Sequence, residues 1–249
     1  MSIAASDYDA YADEVAAHTA ERERGGRADD PLLRRLLQLL GDVAGRRVLD
    51  AACGDGYLAR ALADRGAVVT GIDLGPRLIE LARLRDQDGT IDYRVADLSE
   101  PLPGESASFD AVASLLALND VDDYRGFIAG LANLLKPGCR LVVAFNSPYG
   151  AVVRRHVADY FDTGAKSPYA GLWARGIKTY MRHRTMEEYL DAFLGAGLRL
   201  TKLADVQEHG FVAEQGTILA EGGRFPRFVL LAFVKACSGP QRAPLTALE

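Results

Sequence analysis

Residues 48–56 have the sequence Val48-Leu49-Asp50-Ala51-Ala52-Cys53-Gly54-Asp55-Gly56. The apolar start that ends in an acid is typical of a buried strand reaching the edge of a sheet. The apolar pattern from Tyr57 to Leu62 then predicts a helix. Because neither Gly54 nor Gly56 has a side chain, the chain between strand and helix can bring its backbone close to a bound ligand. The segment therefore predicts a nucleotide-binding loop.

A second acid, Asp73, ends the next predicted strand, 23 positions after Asp50. A carboxylate at this place accepts hydrogen bonds from the two hydroxyls of a ribose. Gly54, Gly56 and Ala59 also satisfy the pattern of dinucleotide-binding loops. However, Asp50 would repel a pyrophosphate and attract a cationic amino acid group. The two acids together favour a nucleoside that carries an amino acid.

These motifs, Val-Leu-Asp-x-x-Cys-Gly-x-Gly and then Val-x-Gly-Ile-Asp, resemble the first two motifs of class I S-adenosylmethionine (SAM) dependent methyltransferases. The resemblance is to the small-molecule, ubiquinone-biosynthesis-like branch and covers about residues 7–147. Ala52 stands where the family usually has glycine. The resemblance implies SAM as cofactor and a Rossmann-like α/β fold. It further implies a mostly parallel seven-stranded sheet, helices on both faces and a lid insertion after the fifth strand.

The resemblance also implies which residues bind the cofactor. Asp97, after the third strand, would take the adenine amino group, and Tyr11 would close over the amino acid end of SAM. Tyr8 and Tyr11 are alternatively buried packing residues. The predicted cofactor-binding set is Tyr11, Asp50, Ala52, Cys53, Gly54, Gly56, Tyr57, Asp73, Leu74, Arg77, Ala96, Asp97, Leu98, Ser114, Leu115 and Asn119.

Strands and helices are predicted to alternate from Arg47 onward, which is typical of a parallel sheet with helices on both faces. Asp29 or Asp30 is predicted to cap a helix that begins at Pro31, and Thr185 with Glu188 predicts a capping box. The predicted regions are N-terminal helices covering the cofactor site (1–45), a SAM-binding core (46–146), a lid insertion (147–184), the C-terminal part of the core sheet (185–236) and a disordered tail (237–249).

Composition disfavours several other classes of protein. With 249 residues, 49% of them hydrophobic, the chain suits one α/β domain with a modest insertion. A net charge of -5 and a pI near 5.5 argue against a nucleic-acid binder, because phosphate neutralisation requires surplus Lys and Arg. Three widely separated cysteines disfavour a disulfide framework and a zinc cluster. No signal peptide or membrane-spanning run is visible, so we predict a cytoplasmic protein. We also predict that it is a monomer or homodimer.

The predicted lid, residues 147–184, differs from the rest of the chain. It has seven Lys and Arg, two acids and six aromatic residues, including the only tryptophan. This composition predicts that the lid selects a planar or polyketide-like acceptor, which an arginine could hold through an anionic group. Alternatively, the arginines are solvated and the aromatics anchor the lid to the core. The substrate-binding candidates are Tyr149, Tyr160, Tyr169, Trp173 and Tyr180.

Two histidines of the lid are candidates for a base that deprotonates the acceptor, because histidine titrates near neutral pH. His183 is the first candidate, since Arg182-His183-Arg184-Thr185 resembles a His-Arg-Thr turn of many small-molecule members. His156 is the second. A structural hydrogen-bonding role for His183 is the alternative.

Three acids, Asp120, Asp122 and Asp123, follow the fourth predicted strand and have oxygen ligands that would suit magnesium. Acids at this place normally cap the next helix, and no second cluster of ligands accompanies them. We therefore predict no bound metal.

The sequence thus predicts a SAM-dependent methyltransferase that modifies an oxygen, nitrogen or carbon atom of a small molecule, without nucleic acid or membrane as partner. A nicotinamide-dependent oxidoreductase is one alternative, which Asp50 and Asp97 disfavour. A SAM-binding module that does not methylate is the other. The Asn/Asp-Pro-Pro-Tyr motif of enzymes that methylate DNA or protein nitrogen is replaced by Ala117-Leu118-Asn119-Asp120.

Overall fold

The computed structural model describes residues 8–26, 30–102, 104–153, 157–168, 175–206 and 226–237, which form one large sheet and a separate hairpin. The strands of the sheet are β1 (Arg47–Ala51), β2 (Val68–Asp73), β3 (Asp92–Val95), β4 (Phe109–Leu115), β5 (Leu135–Asn146), β8 (Leu198–Val206) and β9 (Phe228–Lys235); the hairpin consists of β6 (Lys166–Pro168) and β7 (Tyr180–Arg182). The sheet order is β3-β2-β1-β4-β5-β9-β8, and β9 runs antiparallel to both neighbours. The predicted mostly parallel seven-stranded sheet is confirmed.

Helices pack on both faces of this sheet. They are α1 (Ala12–Arg24), α2 (Pro31–Leu40), α3 (Tyr57–Ala63), α4 (Pro76–Arg85), α5 (Tyr124–Leu134), α6 (Pro148–Val153) and α7 (Met186–Gly195). One core layer joins α2 and α3 to the sheet, and the other joins α5 and α7 to the opposite face. Val48 belongs to the first layer and its neighbour Leu49 to the second, because successive strand residues point to opposite faces. Both are fully buried, as expected for a parallel sheet covered on both sides.

Side-chain caps fix where three of these helices begin. Asp30 accepts hydrogen bonds from Leu32 N and Leu33 N at the start of α2. Asp123 accepts from Gly126 N at the start of α5. Thr185 and Glu188 form a reciprocal capping box at α7. Each cap satisfies backbone N–H groups that a helix leaves unpaired in its first turn, and each was predicted at this place.

The N-terminal helix is longer than the sequence predicts. The apolar spacing predicts a helix over residues 7–19 and a charged linker from Glu21, whereas α1 continues to Arg24. Glu23, in this last turn, pairs with Arg60 of α3 and Arg85 of α4. The charged residues therefore extend the helix through long-range ion pairs that apolar periodicity does not reveal. The described residues contain no helix long and apolar enough to cross a bilayer.

Candidate functional site

A cavity of about 1040 Å³ lies at the carboxyl edge of the sheet, where β1, β2 and β4 end. This is the edge at which ligands bind in open α/β sheets. The turns after these strands form its floor, α1 forms one wall, and Val206 and Phe228 from the last two strands contribute to another. The volume is at the upper end of the range for small-molecule sites, so it offers room for two ligands side by side.

The turn after β1 has three residues with left-handed backbone: Ala52 (φ 56), Gly54 (φ 55) and Gly56 (φ 83). This conformation costs a non-glycine residue about 1–2 kcal/mol, which explains why the family prefers glycine at the place of Ala52. A Cβ added to Gly54 would meet nothing within 4 Å, and Gly54 lines the cavity. A Cβ on Gly56 would overlap with Tyr93 Oη. Gly54 therefore leaves room for a ligand, whereas Gly56 leaves room for the buried Tyr93 ring, a correction to the sequence-based interpretation.

Asp73, at the end of β2, holds this turn in place. Its two carboxylate oxygens accept hydrogen bonds from Gly54 N (2.8 Å) and Gly75 N (2.9 Å). Burial raises the pKa of Asp73, and the backbone N–H groups act against that rise. Each oxygen keeps a second lone pair, so the carboxylate retains acceptor capacity toward ribose hydroxyls. Replacing Asp73 would therefore disturb the turn as well as any ribose contact.

Asp50, at the end of β1, is a buried acid without a full set of partners. It is 1% exposed and lines the cavity, and its Oδ2 has no hydrogen-bond partner. Burial raises the pKa of Asp50 to about 8, and the nearby Asp73 acts in the same direction. An unpaired buried acceptor is costly, and a cationic group of a ligand would relieve that cost. The acceptor that Asp50 offers at the cavity floor therefore fits the ammonium group of SAM.

Most of the predicted cofactor-binding residues meet in this cavity. After β3, Asp97 is oriented by a hydrogen bond from Ser99 N to its Oδ1 (2.8 Å). Cys53 is buried and its thiol pKa is raised, first by burial, so that side chain contributes packing. The predicted residues that line the cavity are Asp50, Ala52, Cys53, Gly54, Tyr57, Asp73, Leu74, Ala96, Asp97, Leu98 and Leu115.

Five predicted cofactor residues lie outside the lining of this cavity: Tyr11, Gly56, Arg77, Ser114 and Asn119. Arg77 pairs on the surface with Asp13 (2.7 Å) and Glu80 (2.6 Å). Asn119 Oδ1 accepts a hydrogen bond from Asn146 N (2.9 Å), which joins the ends of β4 and β5. The structure therefore gives Arg77 and Asn119 contacts that stabilise the fold.

The sequence did not predict how much of the cavity wall α1 and the residues just before it would form. They contribute Tyr8, Val15, His18, Thr19 and Arg22. Tyr8 thus lines the cavity, whereas Tyr11 does not. The spacing of 15, 18, 19 and 22 is that of one helix face, and it is the sequence signal that could have indicated this wall.

Ion pairs attach α1 to the core on the far side of this wall. Glu23 contacts Arg60 Nη2 at 2.7 Å and Arg85 Nη2 at 2.5 Å. Arg85 also pairs with the buried Asp55. Burial raises the pKa of Asp55, and Arg85 and Arg60 act against it. The wall is therefore held by a connected set of partly buried charges.

A second polar group ties α1 to α2 and α3. Tyr57 Oη donates to Asp30 Oδ2 (2.9 Å), and Arg22 Nη2 lies 2.5 Å from the same oxygen. Burial acts to raise the pKa of Asp30, but the charge of Arg22 and the hydrogen bonds outweigh it and hold that pKa below its ordinary value. Asp30, Tyr57 and Arg22 therefore fix the angle at which the wall meets the turn after β1.

The first candidate base, His183, lies outside the lining of the large cavity. It is 3% exposed, and its Nε2 is 2.7 Å from the carbonyl oxygen of Tyr160. The rings of Tyr160 and Tyr149 stack with centroids 5.5 Å apart, and Tyr160 Oη accepts from Met186 N. Tyr180 is exposed on β7. These contacts favour the structural alternative for His183 and for the aromatics, whereas His156, Tyr169 and Trp173 lie outside the described residues.

The arginines of the lid that the structure describes contact groups of the protein itself. Arg182 pairs with Asp122, and Arg175 Nη1 is 2.6 Å from Glu21 of α1. Arg184 Nη2 donates to the carbonyl of Val121 at 2.6 Å. Asp122 is therefore part of an ion pair. Within the described part of the chain, no group of three His, Cys, Asp or Glu residues has the arrangement of a metal site.

The strand order, the glycine turn and the acids at the ends of β1 and β2 together define the fold and cofactor site of class I SAM-dependent methyltransferases. A family model described as a methyltransferase domain matches residues 49–143. These residues are a class I SAM-dependent methyltransferase domain, and SAM is the cofactor of that class.

Individual relatives agree with this assignment. The chain is 45% identical over 104 residues to the ubiquinone biosynthesis O-methyltransferase of Xylella fastidiosa, covering 41% of this chain and 42% of that protein. It is 39% identical over 130 residues to the demethylmenaquinone methyltransferase of Tropheryma whipplei, covering 51% and 52%. The match therefore spans about half or less of these curated relatives. A solved SAM-dependent methyltransferase from Mesorhizobium loti has a TM-score of 0.65 and 28% identity, covering 85% of this chain and 99% of that one.

Proposed function

We propose that the protein transfers a methyl group from SAM to an oxygen, nitrogen or carbon atom of a small molecule, with a hydroxyl oxygen favoured. The observation that carries this proposal is the unpaired buried Oδ2 of Asp50 beside the open turn at Gly54. A dinucleotide would bring a pyrophosphate toward this acid, whereas SAM would bring a cationic amino group. The nicotinamide-dependent oxidoreductase is therefore not favoured.

The residues of the cavity floor would hold the cofactor in three places. Asp50 would take the ammonium group, and Asp73 would accept from the ribose hydroxyls. Asp97 and its neighbours after β3 would meet the adenine. When bound, SAM supplies an electrophilic methyl group on a sulfonium. The protein therefore has to orient the acceptor and exclude water, since the transferred group comes from the cofactor.

The remaining part of the cavity would bind the acceptor. Its lining includes the apolar side chains of Leu116, Val206 and Phe228 together with the polar His18 and Arg227. An apolar surface with a few polar groups suits a planar aromatic molecule that carries a hydroxyl. Two relatives named for ubiquinone and menaquinone methylation support an acceptor of this kind.

Other predictions about partners and location belong to the same proposal. The net charge of -5 supports a small-molecule acceptor over nucleic acid. Tyr169 and Trp173 stay predicted acceptor contacts. A cytoplasmic location and a monomeric or homodimeric state stay predictions as well.

Binding and turnover experiments test the proposal in two stages. Calorimetry with S-adenosylhomocysteine and with NAD, each at about pH 8, should give binding of the first alone. The protein is then incubated with labelled SAM and, in separate reactions, with catechol, hydroquinone or 1,4-dihydroxynaphthalene. Methylated products are identified by mass spectrometry. Binding of NAD instead of S-adenosylhomocysteine would overturn the cofactor. Tight cofactor binding without methylation of any acceptor, including those in a cell extract, would favour a SAM-binding module that does not methylate.

A further inference from the structure

One histidine faces the proposed acceptor space. His18 lies on the cavity face of α1, one turn before Arg22, and its side chain is 33% exposed. Its Nδ1 is buried and has no hydrogen-bond partner. Glu21 Oε2 is 4.0 Å away, which is beyond hydrogen-bond distance. Among the histidines that the structure describes, His18 lines the cavity and His183 does not.

The charges around His18 come from α1 itself and from the lid. Burial lowers the pKa of His18, the guanidinium groups of Arg175 and Arg22 lower it further, and Glu21 acts in the opposite direction. Arg175 also binds Glu21 at 2.6 Å, and Arg22 binds Asp30. These effects favour the neutral imidazole, which carries its proton on one ring nitrogen and a lone pair on the other.

Three other polar residues of the cavity, Tyr8, Asp120 and Asp50, are less suited to accept a proton. Tyr8 and Asp120 both line it, but each already interacts with another part of the protein. Asp50 lies on the floor where the ammonium group of the cofactor is expected. His18 thus combines a position in the cavity, an unpartnered ring nitrogen and contact with solvent through which a proton can leave.

We propose that His18 is the residue that takes the proton of the acceptor hydroxyl during methyl transfer. The O–H bond breaks, its electron pair stays on the acceptor oxygen, and the proton goes to the lone pair of the neutral imidazole to give an imidazolium. The oxygen bonds to the methyl carbon as the methyl–sulfur bond breaks, and that electron pair stays on sulfur. The imidazolium then returns its proton to solvent. This inference rests on the proposed methyltransferase function.

Kinetics with SAM and catechol test the step, with His183→Gln as the matched control for His18→Gln. We expect His18→Gln to lower kcat about 100-fold or more and to remove the acidic limb of the pH profile. The dissociation constant of S-adenosylhomocysteine should change by less than about threefold, because cofactor contacts lie elsewhere. In wild-type enzyme the acidic limb should have its midpoint below the ordinary value for histidine. His183→Gln should keep both this limb and the kcat of its folded fraction.

A spectroscopic readout is independent of turnover. In the S-adenosylhomocysteine complex with ¹⁵N-labelled histidine, adding catechol should shift the ring-nitrogen resonances of His18 and leave those of His183 in place. The outcomes separate the two proposals. If the wild type does not bind S-adenosylhomocysteine, the proposed function is wrong. If it methylates catechol and His18→Gln keeps kcat and the acidic limb, this inference alone is wrong. Catechol that binds without shifting His18, or that neither binds nor reacts, also overturns the inference.

Discussion

The wall formed by α1 and the region around the β6–β7 hairpin contain the same kinds of side chain and use them differently. Near the hairpin, the ring of His183 is buried and bonded to the carbonyl of Tyr160. On α1, Nδ1 of His18 is buried beside a cavity without a partner. The residue type is the same in both places, so its hydrogen-bond partners distinguish a structural role from a chemical one. The composition of the lid attracted the functional prediction, but the histidine with an unpartnered ring nitrogen lies on α1.

The largest expected effect on ligand affinity comes from comparing two glycines with left-handed backbone, one beside the cavity and one in the lid. Gly54 (φ 55) borders the cavity and Gly164 (φ 85) lies in the lid, and a Cβ at either would meet nothing within 4 Å. Gly54→Val should abolish binding of S-adenosylhomocysteine, because the new side chain would occupy ligand space. Gly164→Val carries a similar backbone strain and should leave affinity unchanged. Calorimetry on both variants, with thermal unfolding to confirm folding, makes the comparison. An equal loss of S-adenosylhomocysteine affinity in both variants would show that backbone strain, rather than a blocked binding space, weakens binding.

The next effect concerns Asp50, whose pKa is raised to about 8 by burial from an ordinary 3.8. In the free protein its stabilising contribution is present below the ordinary value and is lost as pH rises through about 8. Binding of an ammonium group favours the ionised form, so affinity for S-adenosylhomocysteine should rise between about pH 6 and 8 with release of a proton. Asp50→Asn should bind about 10-fold or more weakly at pH 8 and lose this dependence.

Calorimetry in buffers of different ionisation enthalpy measures the proton released, and scanning calorimetry follows the melting temperature with pH. Asp159→Asn in the lid is the control, because that carboxylate already accepts from Phe161 N and lies away from the cavity. A pH-independent affinity in the wild type would contradict the assignment of Asp50.

His183→Gln should lower the stability of the fold and leave the affinity for S-adenosylhomocysteine unchanged. Loss of the bond to Tyr160 at this buried position should cost about 1–3 kcal/mol, since the carbonyl is left without its partner. The melting temperature should fall by about 2–4 °C for each kcal/mol. Affinity for S-adenosylhomocysteine, measured well below the new transition, should stay that of the wild type. A weaker affinity with an unchanged melting temperature would contradict the structural role and indicate that His183 belongs to the functional site.

The smallest effects come from a pair of tyrosine hydroxyls. Tyr160→Phe removes the acceptor of Met186 N, and Tyr57→Phe removes the donor to Asp30. Each should cost about 0.5–1.5 kcal/mol in urea unfolding. Tyr57→Phe alone should also weaken cofactor affinity by a small factor, because Tyr57 lines the cavity. If Tyr160→Phe weakened it equally, the separation between the two regions would not hold.

Much of the fold was predictable because its signals are local. The strand–turn–helix at residues 48–62, the caps at Asp30 and Thr185, and the alternation of strands and helices each depend on neighbours within a few positions. The carboxyl ends of parallel strands meet at one edge, so the position of the proposed cofactor site was predictable from the motifs that follow the first two strands.

The acceptor half was not predictable because it depends on contacts between distant residues. Glu23 reaches Arg60 and Arg85 across 37 and 62 positions, and no periodicity indicates such pairs. Gly56 has the same motif position as a ligand-binding glycine, but the ring that fills its space comes from Tyr93 on β3. The sequence signals that a side chain is missing at Gly56 without showing which group occupies the space.

Glu23 attaches α1 to the core, and this attachment affects how relatives can come to bind different acceptors. Glu23 and the cavity residues Val15, His18 and Arg22 lie on different parts of one helix. A chimaera that lost Glu23 would leave Arg60 of α3 without this carboxylate and Arg85 of α4 with Asp55 alone, which should weaken the attachment of the helix. Substitutions at position 15 leave that attachment intact. Selection or directed evolution can therefore vary the contacts to the acceptor while the helix keeps its place.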